Sequence, residues 1–191
     1  QSNYNLAEGE SAPSPTPAPN LDQVQARQNL NETAFFFPHV VSDKDGIVRL
    51  EFQMPEALTK WKFMGFVHDA QLRAGLLTDE VVTSKDLMVQ PNPPRFLREG
   101  DKLEFSVKIV NQSATRQTGR AKLTLSNLQT DESMSQALGL ATEEQAFDIP
   151  AGQSTSLYWM LDVPDFSGVL GYRVVAATER LSDGEEGFLP V

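Results

Sequence analysis

The sequence predicts an all-β protein built from antiparallel β-sandwich domains. Three observations predict this fold. Apolar and polar residues alternate over short runs, which is the pattern of strands with one buried face. Turn-forming residues separate these runs. No part of the chain follows the strand–helix–strand order that builds a parallel sheet.

The alternation is clearest in residues 102–109, where Leu103, Phe105, Val107 and Ile109 alternate with charged or small polar residues. Five further runs share this single apolar face and comprise residues 48–54, 60–67, 121–126, 157–163 and 172–176. Turns are predicted at residues 43–46, 99–101, 150–153 and 182–184, and a helical turn or loop at residues 131–140.

The composition excludes several functions. The net charge is −10 and the pI is about 4.6, so the surface repels phosphate backbones and anionic lipids, and we expect no nucleic-acid partner. The chain has no cysteine, which excludes disulfides, thiolate nucleophiles and cysteine-bound metals within it. No apolar run reaches the ~18–20 residues that cross a bilayer, so we expect no membrane contact within this segment.

Changes in composition divide the chain into three parts. Residues 1–26 read as a flexible, proline-rich linker, near the end of which Asn20 is placed to cap a short helix. Residues 27–80 hold too few strands for a sandwich and read as a partial β domain. Residues 81–191 hold enough for a complete one, with the boundary near residues 80–93.

The ends of the chain suggest a segment of a longer protein. It begins without a methionine or a signal peptide, and it ends on the apolar Leu189-Pro190-Val191. Because residues 27–80 hold few strands, we expect the first strands of this partial domain to lie upstream. A domain cut in this way exposes an unpaired edge, at which copies of the chain can add strands to one another.

No constellation of residues predicts catalysis, cofactor binding or a metal site. The two histidines, His39 and His68, lack a partner nucleophile and read as strand-end residues. The run Asp43–Gly46 reads as a β-turn, because a calcium loop needs more oxygen ligands than it offers. The acidic residues Asp183, Glu185 and Glu186 are expected at a hairpin tip, in preference to a weak cation site.

Two other patterns have a structural and a functional interpretation. Asn31 and Asn111 each begin an Asn-x-Ser/Thr acceptor pattern for glycosylation, which arises often by chance. The aromatic residues Phe35–Phe37 and Trp61 form either a binding platform or core; we favour burial of the phenylalanines between two packed modules and of Trp61 in a domain core.

Several short blocks of residues follow one another in a specific order along the chain. The most specific is Pro55-Glu56-Ala57-Leu58-Thr59-Lys60-Trp61, with its Pro-x-x-Leu-Thr-x-Trp spacing. The other blocks are Arg27 with Leu30, Glu32 and Thr33, then Phe35–Pro38, Asp43 with Gly46, Phe96 with Arg98, Gly100 and Asp101, Val110-Asn111, Ser182–Glu185 and Leu189–Val191. In combination they resemble the alpha-2-macroglobulin family in its large bacterial version.

The resemblance implies macroglobulin-like β-sandwich domains of immunoglobulin or fibronectin character. Residues 27–80 would be the later half of the domain that a bait region interrupts, and residues 81–191 the next domain. The chain would be a non-catalytic structural segment of a large secreted or envelope-anchored protease inhibitor, not an enzyme. Such proteins act as traps: a protease cuts an exposed bait, and the modules rearrange and enclose it.

The resemblance also implies partners and a location. The partners would be target proteases, through the full-length parent, and neighbouring domains of the same chain. The location would be periplasmic, outer-membrane-anchored or extracellular. The family's reactive Cys–Gln thioester lies downstream, and this chain has no cysteine, so no reactive residue carries over.

Two points stay open at the level of sequence. Residues 1–26 read either as a plain linker or as the tail of a bait, and no Lys or Arg precedes Arg27. The chain as a whole could instead be an immunoglobulin-like adhesion or ligand-binding module of a surface protein. Tandem sandwich repeats in the flanking sequence would indicate the second class, and a bait with a helical domain the first.

Overall fold

The computed structural model describes residues 19–191, so the linker and bait interpretations of residues 1–18 lie outside the described residues. A single 3-10 turn, Leu21–Gln23, precedes the strands. The strands are β1 (Lys60–His68), β2 (Ala74–Val82), β3 (Leu87–Asn92), β4 (Lys102–Asn111), β5 (Gln117–Asn127), β6 (Glu144–Ile149), β7 (Ser154–Asp162), β8 (Val169–Ala177) and β9 (Ser182–Pro190). All strand pairs are antiparallel, which confirms the predicted fold class.

Strands β3 to β9 form a β-sandwich. One sheet has the order β3-β4-β7 and the other the order β6-β5-β8-β9. The chain therefore changes sheet after β4, after β6 and after β7, as in immunoglobulin-like sandwiches. The inward residues are those that the alternation predicted: Phe105 lies opposite Trp159 in one sheet and Leu123 opposite Val174 in the other, and all four are buried.

Strands β1 and β2 form a separate two-stranded hairpin, paired from Lys60 with Val82 to His68 with Ala74. At its base, Trp61 is only 9% exposed, and its indole N–H donates to Thr83 Oγ1 at 3.0 Å. The prediction of Trp61 as a buried anchor is therefore confirmed. The rest of the hairpin is largely exposed.

The predicted strand at residues 48–54 is wrong, and Phe35–Phe37 form no strand either. Both stretches have strand-like composition, but a strand needs a hydrogen-bonding neighbour, and the described residues provide none at this position. The described residues do not cover this stretch, because Phe36 is 80% exposed, so burial of Phe35–Phe37 between two modules stays a prediction.

The predicted turn at residues 182–184 is wrong as well, because these residues begin β9. The turn lies earlier, where Thr178 Oγ1 accepts the amide of Leu181 at 3.0 Å. The other turns are confirmed: Gly46, Gly100 and Gly152 adopt positive φ of 79°, 80° and 67°, a conformation that glycine reaches without steric cost.

Two short segments link these units. Residues 83–86 connect the hairpin to the sandwich. Residues 20–28, which we call the strap, pack on the sandwich: Leu21 and Val24 are buried against Val175 and Ala177 of β8. Asn20 caps the turn as predicted, since its Oδ1 accepts the amide of Asp22 at 3.1 Å. Residues 20–26 are therefore not part of the free linker that the composition suggested for residues 1–26.

Candidate functional site

The most unusual chemistry of the chain lies at the edge where β9 meets β3. Asp183 of β9 pairs with Ala176 and points between the two sheets, where it is 0% exposed. A bare carboxylate in such a position is costly unless it is paired and hydrogen-bonded. Its partners come from the strap, the connecting segment and strand β3.

Arg27 of the strap is the first partner. Its Nε and Nη2 donate to the two carboxylate oxygens of Asp183, each at 3.2 Å, and its Nη2 also donates to the carbonyl of Val89 at 2.8 Å. The same nitrogen lies 3.1 Å from Glu185 Oε2. Arg27 thus joins β9 of one sheet to β3 of the other, a role that suits the fixed fork of a guanidinium.

The backbone of Arg27 extends the sheet. Its amide donates to Gly184 O at 2.9 Å, and its carbonyl accepts the amide of Glu186 at 3.1 Å. This parallel bridge occupies the free edge of β9. A Cβ atom on Gly184 would lie 2.8 Å from Val175 Cγ1 and 3.3 Å from Ala26 Cα, so glycine gives the strap room to pass.

Lys85 of the connecting segment is the second partner, with its Nζ 2.8 Å from Asp183 Oδ1. The third is the amide of Val89, which donates to Asp183 Oδ2 at 2.8 Å. We call Arg27, Lys85, Asp183 and Glu185 the clasp. It gathers the strap, the connecting segment and β9 around one buried carboxylate.

The environment of the clasp alters one of its carboxyl groups. Burial raises the pKa of Glu185, and the charge of Arg27 and its hydrogen bond only partly oppose this rise. Nearby, the amides of Gln28 and Asn29 donate to Glu56 Oε2 at 2.9 and 3.1 Å and lower the pKa of that carboxyl. Glu56 belongs to the Pro55–Trp61 block, so this block contacts the strap where the strap leaves the sandwich.

Further contacts hold the strap to the four-stranded sheet. Lys122 of β5 donates to Asp22 Oδ1 at 2.9 Å, and the guanidinium of Arg173 donates to the carbonyl of Val24. The hydrogen bond from Lys122, followed by the charge of Lys122, lowers the pKa of Asp22, and the same hydrogen bond raises the pKa of Lys122. Together with Leu21 and Val24, these contacts fix the strap along its length.

A second surface stands out for its exposed apolar side chains. We call residues 31–82 the open region. Its exposed apolar members are Phe36, Phe37, Val40, Val41, Ile47, Val48, Phe52, Met64, Phe66, Val67, Leu72, Leu76, Leu77, Val81 and Val82. Phe35 packs on Phe52, with ring centroids 4.2 Å apart, and lies near Phe63 of β1 at 6.1 Å. Soluble proteins rarely leave so many large apolar groups uncovered.

The structure separates the residues that the sequence singled out. His39 and His68 are both exposed; His68 ends β1 as predicted, whereas His39 lies outside any strand. Asp43 closes its turn by accepting the amides of Asp45 and Ile47, each at 2.9 Å. Asn31 is exposed, while Asn111 is buried and donates to the carbonyls of Ile149 and Pro150 at 3.1 and 3.0 Å, so it offers no site for a glycan.

The prediction of a hairpin tip at Asp183, Glu185 and Glu186 is wrong, because these residues lie within β9. Within residues 19–191, no three His, Cys, Asp or Glu side chains gather in a way that could hold a metal ion. In the same residues, no helix is long and apolar enough to span a membrane.

The sequence patterns do not predict the clasp, although they include three of its four members, Arg27, Asp183 and Glu185. Arg27 and Asp183 stand in the first and a late family block, 156 positions apart, and no local pattern joins them. The one local signal is Gly184, since a glycine inside a strand often marks close approach by another segment.

Comparisons with known proteins point to one family. The model of the alpha-2-macroglobulin family matches residues 33–123. The alpha-2-macroglobulin of Thermotoga maritima is 26% identical over 171 residues, which cover 88% of this chain and 10% of that protein. An alpha-2-macroglobulin homolog of Nostoc sp. is 26% identical over 89 residues, which cover 47% of this chain and 5% of that protein.

Solved structures share the fold. The alpha-2-macroglobulin of Escherichia coli activated by porcine elastase matches 85% of this chain and 15% of its own with a TM-score of 0.63 at 15% identity. The native conformation of the E. coli protein matches 78% of this chain and 9% of its own with a TM-score of 0.56 at 17% identity. The chain thus spans a small part of every relative named here.

Proposed function

We propose that this chain is a member of the alpha-2-macroglobulin family, which its matches support, and that it is a non-catalytic structural segment of a large bacterial protease trap. In this proposal the trap is secreted or anchored in the envelope, in the periplasm, at the outer membrane or outside the cell. Target proteases meet the full-length parent, and the direct partners of this segment are neighbouring domains of the same protein.

The observation that carries the proposal is the open region. Residues 87–191 close their own core, whereas residues 31–82 expose phenylalanine, leucine and valine side chains to solvent. A surface of this kind is characteristic of a piece that packs against something else. We propose that upstream strands of the parent complete a second sandwich over β1 and β2, with the division between the two domains near residues 80–93.

The strap modifies the bait interpretation. Leu21 and Val24 are buried and Arg27 is held in the clasp, so residues 21–27 are poor protease substrates, because cleavage requires accessible, locally unfolded backbone. We therefore propose that any bait-like tail ends before Asn20.

A trapping assay on the full-length parent tests this function. An elastase-like protease is mixed with the parent, and its activity is then measured on a short peptide and on a large protein substrate. We expect activity on the large substrate to fall while activity on the peptide persists, and we expect residues 1–191 alone to change neither. A parent that leaves both activities unchanged with a panel of proteases contradicts the trap. Inhibition by residues 1–191 alone contradicts a purely structural role.

A further inference from the structure

Most contacts of the strap are with the four-stranded sheet of the sandwich. Its apolar residues Leu21 and Val24 lie on β8 of the sandwich, its Asp22 pairs with Lys122 of β5, and its Arg27 joins the edge of β9. All of these contacts are with the four-stranded sheet. Beyond the strap, residues 29–59 contain no strand.

The clasp is the strongest of these attachments. Arg27 and Asp183 are both buried and share two hydrogen bonds, and the guanidinium reaches a carbonyl of the opposite sheet. Without Arg27, Lys85 is the one cation left beside Asp183 among residues 19–191. Without Asp183, Glu185 is the one carboxylate of these residues left beside Arg27. Because the site is buried, we expect the pair to open only when the strap leaves the sheet edge. The exposed pairs elsewhere, such as Lys60 with Glu80, impose no such condition.

We propose that the strap is a latch that the Arg27–Asp183 pair locks onto the sandwich, and that it stays locked when the chain is cut upstream of Asn20. In such a cut a protease hydrolyses one peptide bond, and water supplies the hydroxyl to the new carboxyl end and the hydrogen to the new amine. The new amino-terminal end then stays on the sandwich, while the segment on the other side of the cut is released.

The consequence for trapping rests on the proposed function. Suppose that the parent is a trap with its bait upstream of Asn20. A cut in the bait then separates its amino-terminal part from its carboxyl-terminal stub, and the strap keeps this stub fixed to β8 and β9. Rearrangement would then begin in the domains upstream. The latch itself is a property of residues 19–191 and does not depend on trapping.

Limited trypsin digestion tests the latch, because the peptide bond after Arg27 lies in it. Cleavage after Arg49, whose side chain is 77% exposed, is the internal reference. In the wild-type chain we expect cleavage after Arg27 to be at least about tenfold slower than after Arg49, since it requires local opening of the latch. Equal rates at the two bonds would overturn the proposal.

Two variants keep the trypsin site and weaken the lock. Arg27→Lys replaces the guanidinium with a single ammonium. Asp183→Asn removes the negative charge of the carboxylate to which Arg27 donates. We expect each to speed cleavage after position 27 by about tenfold or more, with cleavage after Arg49 unchanged. Glu80→Gln, which breaks an exposed pair, is the matched control and should leave both rates as they are.

Folding is checked in the same samples by near-ultraviolet circular dichroism. If Asp183→Asn fails to fold, Arg27→Lys decides, because an ammonium at this position keeps the buried carboxylate compensated. A folded Arg27→Lys chain with wild-type cleavage after position 27 would overturn the lock. In the full-length parent, an Arg27→Lys protein that traps normally but shows the faster cleavage contradicts only the consequence for trapping.

Discussion

The sandwich and the open region both contain runs of alternating apolar and polar residues, but only the sandwich buries its apolar residues. In the sandwich, Phe105, Val107 and Ile109 of β4 are fully buried. In the hairpin, Phe66 and Leu76 lie opposite each other and are 69% and 68% exposed. The difference is the presence of a facing sheet, which teaches that alternation predicts which residues seek cover and not what covers them.

The largest expected contrast is between a core residue of each region. Trp159→Ala should lower the free energy of unfolding by about 3–5 kcal/mol, because it leaves a cavity in a closed core. Phe66→Ala, on the open hairpin, should change it by less than about 0.5 kcal/mol. Urea denaturation of both variants measures the contrast. Equal losses would mean that the hairpin is as well packed as the sandwich.

Breaking the clasp should come next. Asp183→Asn is expected to cost about 3–5 kcal/mol, since it removes the buried carboxylate that Arg27 and Lys85 share and leaves Glu185 as the remaining partner of Arg27. Asp162→Asn, which breaks the exposed pair with Lys102, should cost less than about 1 kcal/mol. The comparison is made by urea denaturation at pH 7, and a similar small loss in both variants would contradict the role of the clasp.

Much of the sandwich could be predicted from the sequence, because its strands bury one face each. Strand β2 could not, since its sequence, Ala74–Val82, places Leu76 beside Leu77 and Val81 beside Val82 and so does not alternate. Residues 48–54 show the reverse case, an apolar alternation that finds no neighbouring strand among residues 19–191. The clasp could not be predicted either, because Arg27 and Asp183 meet only through the fold of the chain between them.

Alkaline titration distinguishes the buried phenol of the sandwich. Burial, and to a smaller extent the charge of Glu185, raise the pKa of Tyr172 to about 12. Below pH 10 the phenol is neutral in both states and the wild type keeps its full stability. Between pH 10 and about 12 the unfolded chain loses this proton first, so stability is lost as the pH rises. Tyr172→Phe should lose less stability than wild type over this window, as followed by urea denaturation, and identical pH profiles would contradict the assignment.

The smallest effect is expected at Glu185. Because burial raises its pKa in the folded state, the folded chain binds this proton more tightly than the unfolded chain. The stability that this group contributes is present below its ordinary pKa and is lost as the pH rises through the raised value. Glu185→Gln should therefore melt at or slightly above the wild-type temperature at pH 7, and the difference should shrink towards pH 4. A clearly lower melting temperature at pH 7 would show that the Arg27–Glu185 contact outweighs the cost of burial.

The opposite shift occurs in the open region. The amide of Arg73 donates to Asp69 and lowers the pKa of that carboxyl, while burial opposes this change. The guanidinium of Arg73 also donates to Asp69 and adds a smaller lowering of the pKa. Hydrogen bonds at an exposed turn, and not a closed core, determine this shift. Burial thus raises the pKa of Glu185 in the sandwich, whereas hydrogen bonds lower the pKa of Asp69 in the exposed turn of the hairpin.

Hydrogen exchange of the backbone amides tests the central claim most directly. It is measured by mass spectrometry on residues 1–191 and on a longer version of the parent that adds the upstream region. We predict slow exchange in β4, β5, β7 and β8 in both proteins, and exchange in β1 and β2 that is at least about tenfold slower in the longer protein. Exchange in β1 and β2 that is the same in both proteins would contradict the claim that upstream strands cover the open region.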